Sequence, residues 1–389
     1  MDESTSTKKP KRKSILNSDD SDSLELDSSD NDSTDEKSSK LDSGIDLNSS
    51  VDESLIQNLA TRVNSSLKSD ILMVGDQVEG DRNVPYWILT GIPALDYAIG
   101  GMCHPGLPGA RIIEIHGSEA TGKSTIALHI LKRAIEQVKA IAYYQDAERV
   151  LTPEIIRGTQ IDMKRVMREQ PDTLEEVFDH QEAVLKELES INYPVVTVMD
   201  SIAACSTQSE IEGEMNSHTM GEHARLMSKG LRKIKSLITD NQVLSLWINQ
   251  TREKIGGTTW TDNTATFAGK AMNFYASVRI RLVRVKTLKK DVPYGATIEA
   301  TILKNKVAPP LRKAQYDILF VQDKFGSYPK LDVEGAILDW CKNNDLIGGG
   351  VGRYEVNGKS YFRDQARTIL MEDPKTFNKF KNLAYSVKY

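Results

Sequence analysis

Residues 117–124 read Gly-Ser-Glu-Ala-Thr-Gly-Lys-Ser, a complete G-x-x-x-x-G-K-[ST] loop, and this octapeptide constrains the fold more than any other feature of the 389-residue chain. Such a loop works only where a strand feeds into a helix. The preceding stretch, Arg111-Ile112-Ile113-Glu114-Ile115-His116, is strand-like. The following one, Ser124 to about Val138, repeats Ile126, Ile130, Leu131 and Ile135 at helical spacing. In that setting the glycines let the backbone curl so that N–H groups converge on phosphate oxygens, with the positive end of the helix dipole behind them. Gly117, Ser118, Glu119, Ala120, Thr121, Gly122, Lys123, Ser124 and Thr125 are therefore the expected lining of a nucleoside triphosphate site. Lys123 is expected on the β- and γ-phosphates and the Ser124 hydroxyl on a magnesium ion.

From about Trp87 to Val321, strand-like segments alternate with helical ones, the pattern of an α/β fold with a mostly parallel sheet covered on both faces. Strands are expected at Ala140–Tyr144, Val195–Met199, Val243–Ile248, Val278–Leu282, Ile298–Leu303 and Tyr316–Val321. Short links between the last three predict an antiparallel extension. Ligands of open parallel sheets sit beyond the C-terminal strand ends, and three strands deliver polar groups there. Val195–Met199 ends in Asp200, an arrangement whose carboxylate holds a magnesium-bound water. Ala140–Tyr144 runs into Gln145-Asp146-Ala147-Glu148, which puts Glu148 where it would orient and deprotonate an attacking water. Val243–Ile248 delivers Asn249-Gln250. The Gln250 amide suits a γ-phosphate sensor; a hydrogen-bonded strand end is the alternative.

Charge is unevenly spread. The formal net charge is −5, yet residues 1–53 alone carry about fifteen acidic and seven basic side chains, leaving a slightly basic remainder. Residues 1–50 are rich in Ser and Asp and poor in apolar side chains, so the composition predicts a disordered tail. Its run Lys8-Lys9-Pro10-Lys11-Arg12-Lys13 admits nuclear targeting or phosphate binding, but a solvated tail is the better reading. Between 51 and 86 an amphipathic helix (Leu55, Leu59 and Val63 on one face) and a strand, Ile71–Val74, are expected as an arm that packs on the core or docks on a neighbouring subunit. The core is expected over 87–328. A small α+β unit follows over 329–389, with a helix near Val333–Asn343, a hairpin through Tyr354–Phe362 and a terminal helix. No apolar run is long enough to span a membrane, no secretory h-region is present, and Cys103, Cys205 and Cys341 lack metal-ligand spacing. These features predict a cytoplasmic protein with reduced thiols.

Several further segments, taken in order, resemble the RecA-type homologous recombinases from about residue 52 to the C-terminus. They are Asp146-Ala147-Glu148, Gln170-Pro171-Asp172-Thr173, Met199-Asp200-Ser201-Ile202-Ala203-Ala204, Glu210–Glu214, Ile248–Gly256, Phe274–Arg279 and Lys304-Asn305-Lys306. The resemblance implies a RecA-like P-loop NTPase core that uses ATP and Mg2+ and forms a helical homo-oligomer on single-stranded DNA. That filament would pair with homologous duplex DNA and exchange strands. The resemblance also raises a single-strand-binding protein and loader proteins as partners without identifying them. It implies Glu148 as the catalytic carboxylate, and Lys304 and Lys306 as groups reaching a neighbour's γ-phosphate, as arginine fingers do elsewhere. The pattern departs at Ile155 and Thr152, where the family commonly has an adenine-stacking aromatic and an adenine-contacting Asp. A hexameric helicase of the same core fold, and a DNA-binding filament protein with little hydrolysis, are the alternatives.

The segment Glu222–Thr239 reads as a helix with Met227, Leu231, Ile234 and Ile238 on its apolar stripe and Arg225, Lys229 and Arg232 opposite. By itself such a basic stripe is more often a solvated face. The loops Glu212–Gly221 and Thr251–Ala271, however, match the family's two DNA-binding loops. By that resemblance Arg225, Ser228, Arg232 and Arg252 contact phosphates and Met220 and Ile255 wedge between bases, with Gly221, Lys254 and Gly269 completing the DNA-facing set. Trp260 and Phe267 suit either base stacking or buried packing.

Overall fold

The computed structural model describes residues 53–68, 84–191, 193–213, 221–253, 264–267, 270–324 and 326–387. The acidic tail and the expected strand Ile71–Val74 lie outside these residues. The chain divides into two units, before and after Val78. The described part of the first is the expected amphipathic helix, Glu53–Leu67, with Leu55, Leu59 and Val63 all exposed.

The second unit opens with a two-stranded ribbon, β1 (Trp87–Ile88) and β2 (Leu107–Pro108). Its main sheet has ten strands: β3 (Arg111–Gly117), β4 (Ile141–Asp146), β5 (Val166–Glu169), β6 (Val195–Asp200), β7 (Val243–Glu253), β8 (Thr264–Thr266), β9 (Val278–Lys289), β10 (Pro293–Asn305), β11 (Lys313–Asp323) and β12 (Gly326–Leu331). The order is β12-β11-β10-β9-β3-β7-β6-β4-β5, with β8 on the end of β7. Strands β9, β3, β7, β6, β4 and β5 run parallel, while β10, β11 and β12 form the expected antiparallel extension. The edge strands β5 and β12 are not apparent from the sequence pattern. β5 is a four-residue Val-Met-Arg-Glu segment without a buried face, and β12 carries Pro329, which an edge position tolerates. β12 also carries the sheet to Leu331, past residue 328.

Side-chain alternation distributes each parallel strand between two cores. Ile113, Ile115, Val196, Val198, Leu246 and Ile248 pack beneath the helix Lys123–Val138 and the short helix Pro93–Gly100. Ile112, Val195, Met199, Val243 and Trp247 face the helices Leu174–Glu187 and Glu222–Asp240. These two helices approach closely at Gly230, where a Cβ would stand 2.3 Å from the Phe178 ring. Phe178 in turn stacks on Trp247 with centroids 5.4 Å apart.

The C-terminal residues form a helix, Val333–Asn343, and a hairpin of β13 (Arg353–Val356) and β14 (Lys359–Phe362). The hairpin turns over Asn357-Gly358, both at positive φ. Where one terminal helix was expected there are two, Arg363–Glu372 and Pro374–Ala384. Pro374 has no N–H to continue the first, and the Asp373 carboxylate caps the second by accepting from Lys375 N at 3.0 Å. Ile337, Leu338, Cys341, Leu370 and Phe380 make a separate small core. Tyr97 of the main body stacks on Trp340 at 4.9 Å, and both donate to the Ala384 carbonyl, at 3.3 and 3.1 Å.

Candidate nucleotide site and DNA-facing surface

β3 ends at Gly117 and the helix begins at Lys123, so residues 118–122 form a loop between strand and helix, as the motif requires. Ala120 and Gly122 both have positive φ. A Cβ on Gly117 would lie 2.4 Å from the Leu282 carbonyl oxygen, leaving no room for a side chain, and Gly122 has a φ of 77° that side-chain-bearing residues rarely adopt. The Thr121 hydroxyl and the Lys123 amine both donate to the Ser118 carbonyl, at 2.9 and 2.8 Å. Burial lowers the Lys123 pKa, opposed by Glu148, Asp200 and Glu119.

Strands β4 and β6 run in register, Asp146 beside Asp200. Asp200 is fully buried, and the Tyr144 hydroxyl donates to its Oδ2 at 2.6 Å. Burial pushes the Asp200 carboxyl up to about 6; the Tyr144 and Ser124 hydroxyls oppose this, and Glu148 and Asp146 add repulsion. Its Oδ1 is buried and has no hydrogen-bond partner among the described residues. A buried carboxylate oxygen left open beside Ser124 fits a hydrated magnesium ion. The Glu148 amide donates to the Asp200 carbonyl at 3.0 Å, and its side chain accepts from the Ser201 hydroxyl at 2.8 Å. Asp146 is occupied otherwise: it accepts from Val150 N at 2.8 Å and pairs with Arg168 at 3.0 Å. Gln250 lies opposite Gly117 in the β7–β3 register, half-buried, and its side-chain amide makes no hydrogen bond among the described residues. The loop residues, Ser124, Asp200, Glu148 and Gln250 thus gather at the C-terminal edge of β3, β4, β6 and β7.

Lys304 and Lys306 are not in this group. β10 places Lys304 opposite Arg279 and Asn305 opposite Val278, at the start of β9, whereas Gly117 pairs with Leu282 further along that strand. Lys304 therefore sits level with Glu114, three residues back from Gly117 along β3 and two strands across, away from its own phosphate loop. Lys304 donates to the carbonyls of Asn273 and Phe274, at 2.7 and 3.2 Å, while Lys306 is exposed. Burial, with Lys306 and Arg279 nearby, lowers the Lys304 pKa.

One buried charge network was not anticipated. Glu114, in the middle of β3, is fully buried and ion-paired with Arg279 on β9. Asn249 on β7 donates to Glu114 at 2.9 Å and to the Phe267 carbonyl at 3.1 Å, and accepts from Gln250 N at 2.9 Å. A carboxylate inside the apolar run Arg111–His116 is itself the signal, because a buried charge requires a partner.

On the helix Glu222–Asp240, the stripe Met227, Leu231, Ile234 and Ile238 is buried as expected. Arg225, Lys229 and Arg232 are exposed and Ser228 is half-buried. Arg232 approaches the Tyr275 hydroxyl at 3.5 Å, and the helix starts from Gly221 at positive φ. His223, beside Arg225, bonds Glu210 at 2.9 Å and meets the edge of Phe267 at 4.9 Å, so Phe267 is packed against the body of the protein. The Arg252 backbone continues β7 and pairs with Ala265 of β8. Met220, Lys254, Ile255, Trp260 and Gly269 lie outside the described residues.

The family model for the RecA N-terminal domain matches residues 55–324. Proteins named protein RecA from Crocosphaera subtropica and Mycobacterium sp. are 37% and 35% identical over 79% and 83% of this chain, covering 84% and 88% of their own lengths. Another from Synechocystis sp. is 37% identical over 74% of this chain and 77% of its own.

The chain belongs to the RecA family.

Its α/β architecture, with a central mostly parallel sheet flanked by helices, is that of the RecA family core. Within this RecA framework the two departures have local roles. Thr152 caps the helix Pro153–Thr159 by accepting from Ile155 N at 3.4 Å, and Ile155 packs against the core beneath the Lys123–Val138 helix. No helix among the described residues is long and apolar enough to cross a membrane.

Proposed function

We propose that this RecA-family chain is a DNA-dependent ATPase that assembles as a helical filament on single-stranded DNA and exchanges strands with a homologous duplex. The observation that carries the reading is the separation of Lys304 and Lys306 from the rest of the catalytic set. The phosphate loop, Ser124, Asp200, Glu148 and Gln250 stand at the C-terminal ends of the parallel strands, whereas Lys304 is level with the middle of β3, two strands away, and Lys306 lies further back. A lone chain would hold ATP yet lack the cations that stabilise the charge of the transferring phosphoryl group. A neighbouring copy would supply them.

Within the site, Lys123 and the loop N–H groups hold the β- and γ-phosphates. Ser124 and Asp200 would hold Mg2+, which would supply charge neutralisation at the triphosphate. Glu148 accepts the proton of the attacking water, and the Gln250 amide reads the γ-phosphate. Arg225, Ser228 and Arg232 on one helix face, with Arg252 at the end of β7, take DNA phosphates and so bind without base preference. The exposed face of Leu55, Leu59 and Val63 docks on a second copy.

Electron microscopy with single-stranded DNA and a slowly hydrolysed ATP analogue, together with an ATPase assay with and without that DNA, tests the proposal. Continuous filaments and DNA-stimulated turnover are expected. Closed rings would favour a helicase, and filaments without turnover a structural DNA-binding protein.

A further inference from the structure

A second cationic site lies away from the phosphate loop, where the main body meets the C-terminal helices. It is a pocket of about 170 Å³. Lys132 and Arg133 enter it from the helix Lys123–Val138, Lys330 from the end of β12, and Lys381 from the helix Pro374–Ala384. Lys132 is nine residues beyond Lys123, about 14 Å along the helix at 1.5 Å per residue, so the pocket is separate from the nucleotide site.

The charge balance inside the pocket is incomplete. Lys132 and Arg133 share one carboxylate, Glu136, at 3.8 and 2.7 Å. Lys330 and Lys381 are half-buried, and their ammonium groups have no ion-pair or hydrogen-bond partner among the described residues. One carboxylate lines the pocket, Glu334, and its Oε2 is buried without a partner. His129, also in the wall, bonds the Thr90 carbonyl at 2.7 Å, and burial lowers it to about 4, so it is neutral near pH 7. Burial lowers the pKa of both Lys132 and Lys381; Glu136 opposes this on each, joined by Glu334 on Lys132 and Asp96 on Lys381, while Arg133 adds repulsion on both and Lys330 on Lys132. Partly desolvated ammonium groups held together in this way cost free energy unless an anion joins them.

We infer that this pocket binds a multiply charged oxyanion of the phosphate class. The pocket has room for a phosphate or pyrophosphate group. Lys and Arg are the side chains that pair most strongly with such groups. The occupant would bridge the helix that begins at the phosphate loop, the sheet edge and the last helix, and so fasten the C-terminal unit to the core. Two sources share this chemistry: the free anion, and a phosphate of a bound DNA strand.

Calorimetric titration of the full chain with inorganic pyrophosphate tests the inference, in a Lys123→Ala background that disables the phosphate loop. One saturable site is expected. Lys330→Gln with Lys381→Gln should weaken it by roughly tenfold or more, the scale of losing hydrogen bonds to a charged group. Glu334→Gln, which removes the lining carboxylate, should tighten it, and this gain stays readable if the double lysine variant folds poorly. Displacement of pyrophosphate by a single-stranded oligonucleotide would identify a DNA phosphate as the source, and simultaneous binding the free anion. Absence of saturable binding, or an affinity indifferent to all three substitutions, would overturn the assignment.

Discussion

The Tyr144 hydroxyl donates to Asp200 Oδ2 at 2.6 Å, between two buried side chains on adjoining parallel strands. This bond favours the charged carboxylate against the burial that raises its pKa to about 6. Two consequences can be measured. Without magnesium the folded protein holds a proton on Asp200 that the unfolded chain, with a pKa of about 3.9, has already released. Stability should therefore fall as pH rises from about 4 to 6 and level off above, and Asp200→Asn should flatten that part of the melting profile. Tyr144→Phe should push the carboxyl higher and weaken Mg2+-dependent ATP binding by roughly tenfold, the scale of one hydrogen bond to a charged group. The deficit should be larger at pH 6.5 than at pH 8. A deficit independent of pH would assign Tyr144 to packing alone.

Lys123→Ala and Glu148→Gln should separate binding from chemistry. The first removes the charge facing the β- and γ-phosphates and should abolish ATP binding. The second leaves the loop intact, so nucleotide binding and assembly should persist while turnover drops by about two to four orders of magnitude, the range for a general base. Equal damage to nucleotide affinity in both would contradict the role given to Glu148.

Mixing experiments test the placement of Lys304 and Lys306. If each lysine pair completes a neighbour's site, a Lys304→Ala, Lys306→Ala protein should poison wild-type ATPase activity beyond simple dilution. A decline linear in mutant fraction would show that every chain works alone.

Arg225→Ala should weaken binding to all single-stranded sequences alike. It should also reduce the salt dependence by up to roughly 0.7 in log K per log salt, the share of one phosphate contact. Unchanged affinity and slope would leave Arg225 a solvated charge.

Gly230→Ala should destabilise the protein, although alanine gains about 1 kcal/mol over glycine in a helix interior. The new methyl would meet the Phe178 ring at 2.3 Å, and overpacking costs about 1–3 kcal/mol. A net loss in urea unfolding is expected; stabilisation would mean that Phe178 moves aside freely.

Much of this was legible in the sequence. The strand–loop–helix at Gly117–Ser124, the strand ending at Asp200 and the buried stripe from Met227 to Ile238 follow from motif and periodicity, because both signals are local. Tertiary relationships left weaker traces. Nothing in Gly230 itself announces the Phe178 ring, since the contact depends on how two helices cross. The Glu114–Arg279–Asn249 network joins three strands that are neighbours only after folding, so the sequence shows an odd charge in an apolar run and not its partner. The edge strands β5 and β12 have too little buried face to show an alternating pattern. The separation of Lys304 from Gly117 depends on β10 running antiparallel to β9, which the short link suggested but which becomes a distance only in the register.

That separation also gives the molecule a direction. If the lysines act on a neighbour, every copy has one end that supplies cations and one end that needs them, so contacts are head-to-tail and build an open series wherever the rotation does not close a ring. A series of n copies then holds n − 1 finished catalytic centres. The copy at one terminus keeps its triphosphate because nothing arrives to complete it, while the copy at the other presents lysines with nothing to act on. Growth and loss would differ at the two termini, and the orientation of the sheet alone would set which is which, before any nucleic acid is engaged.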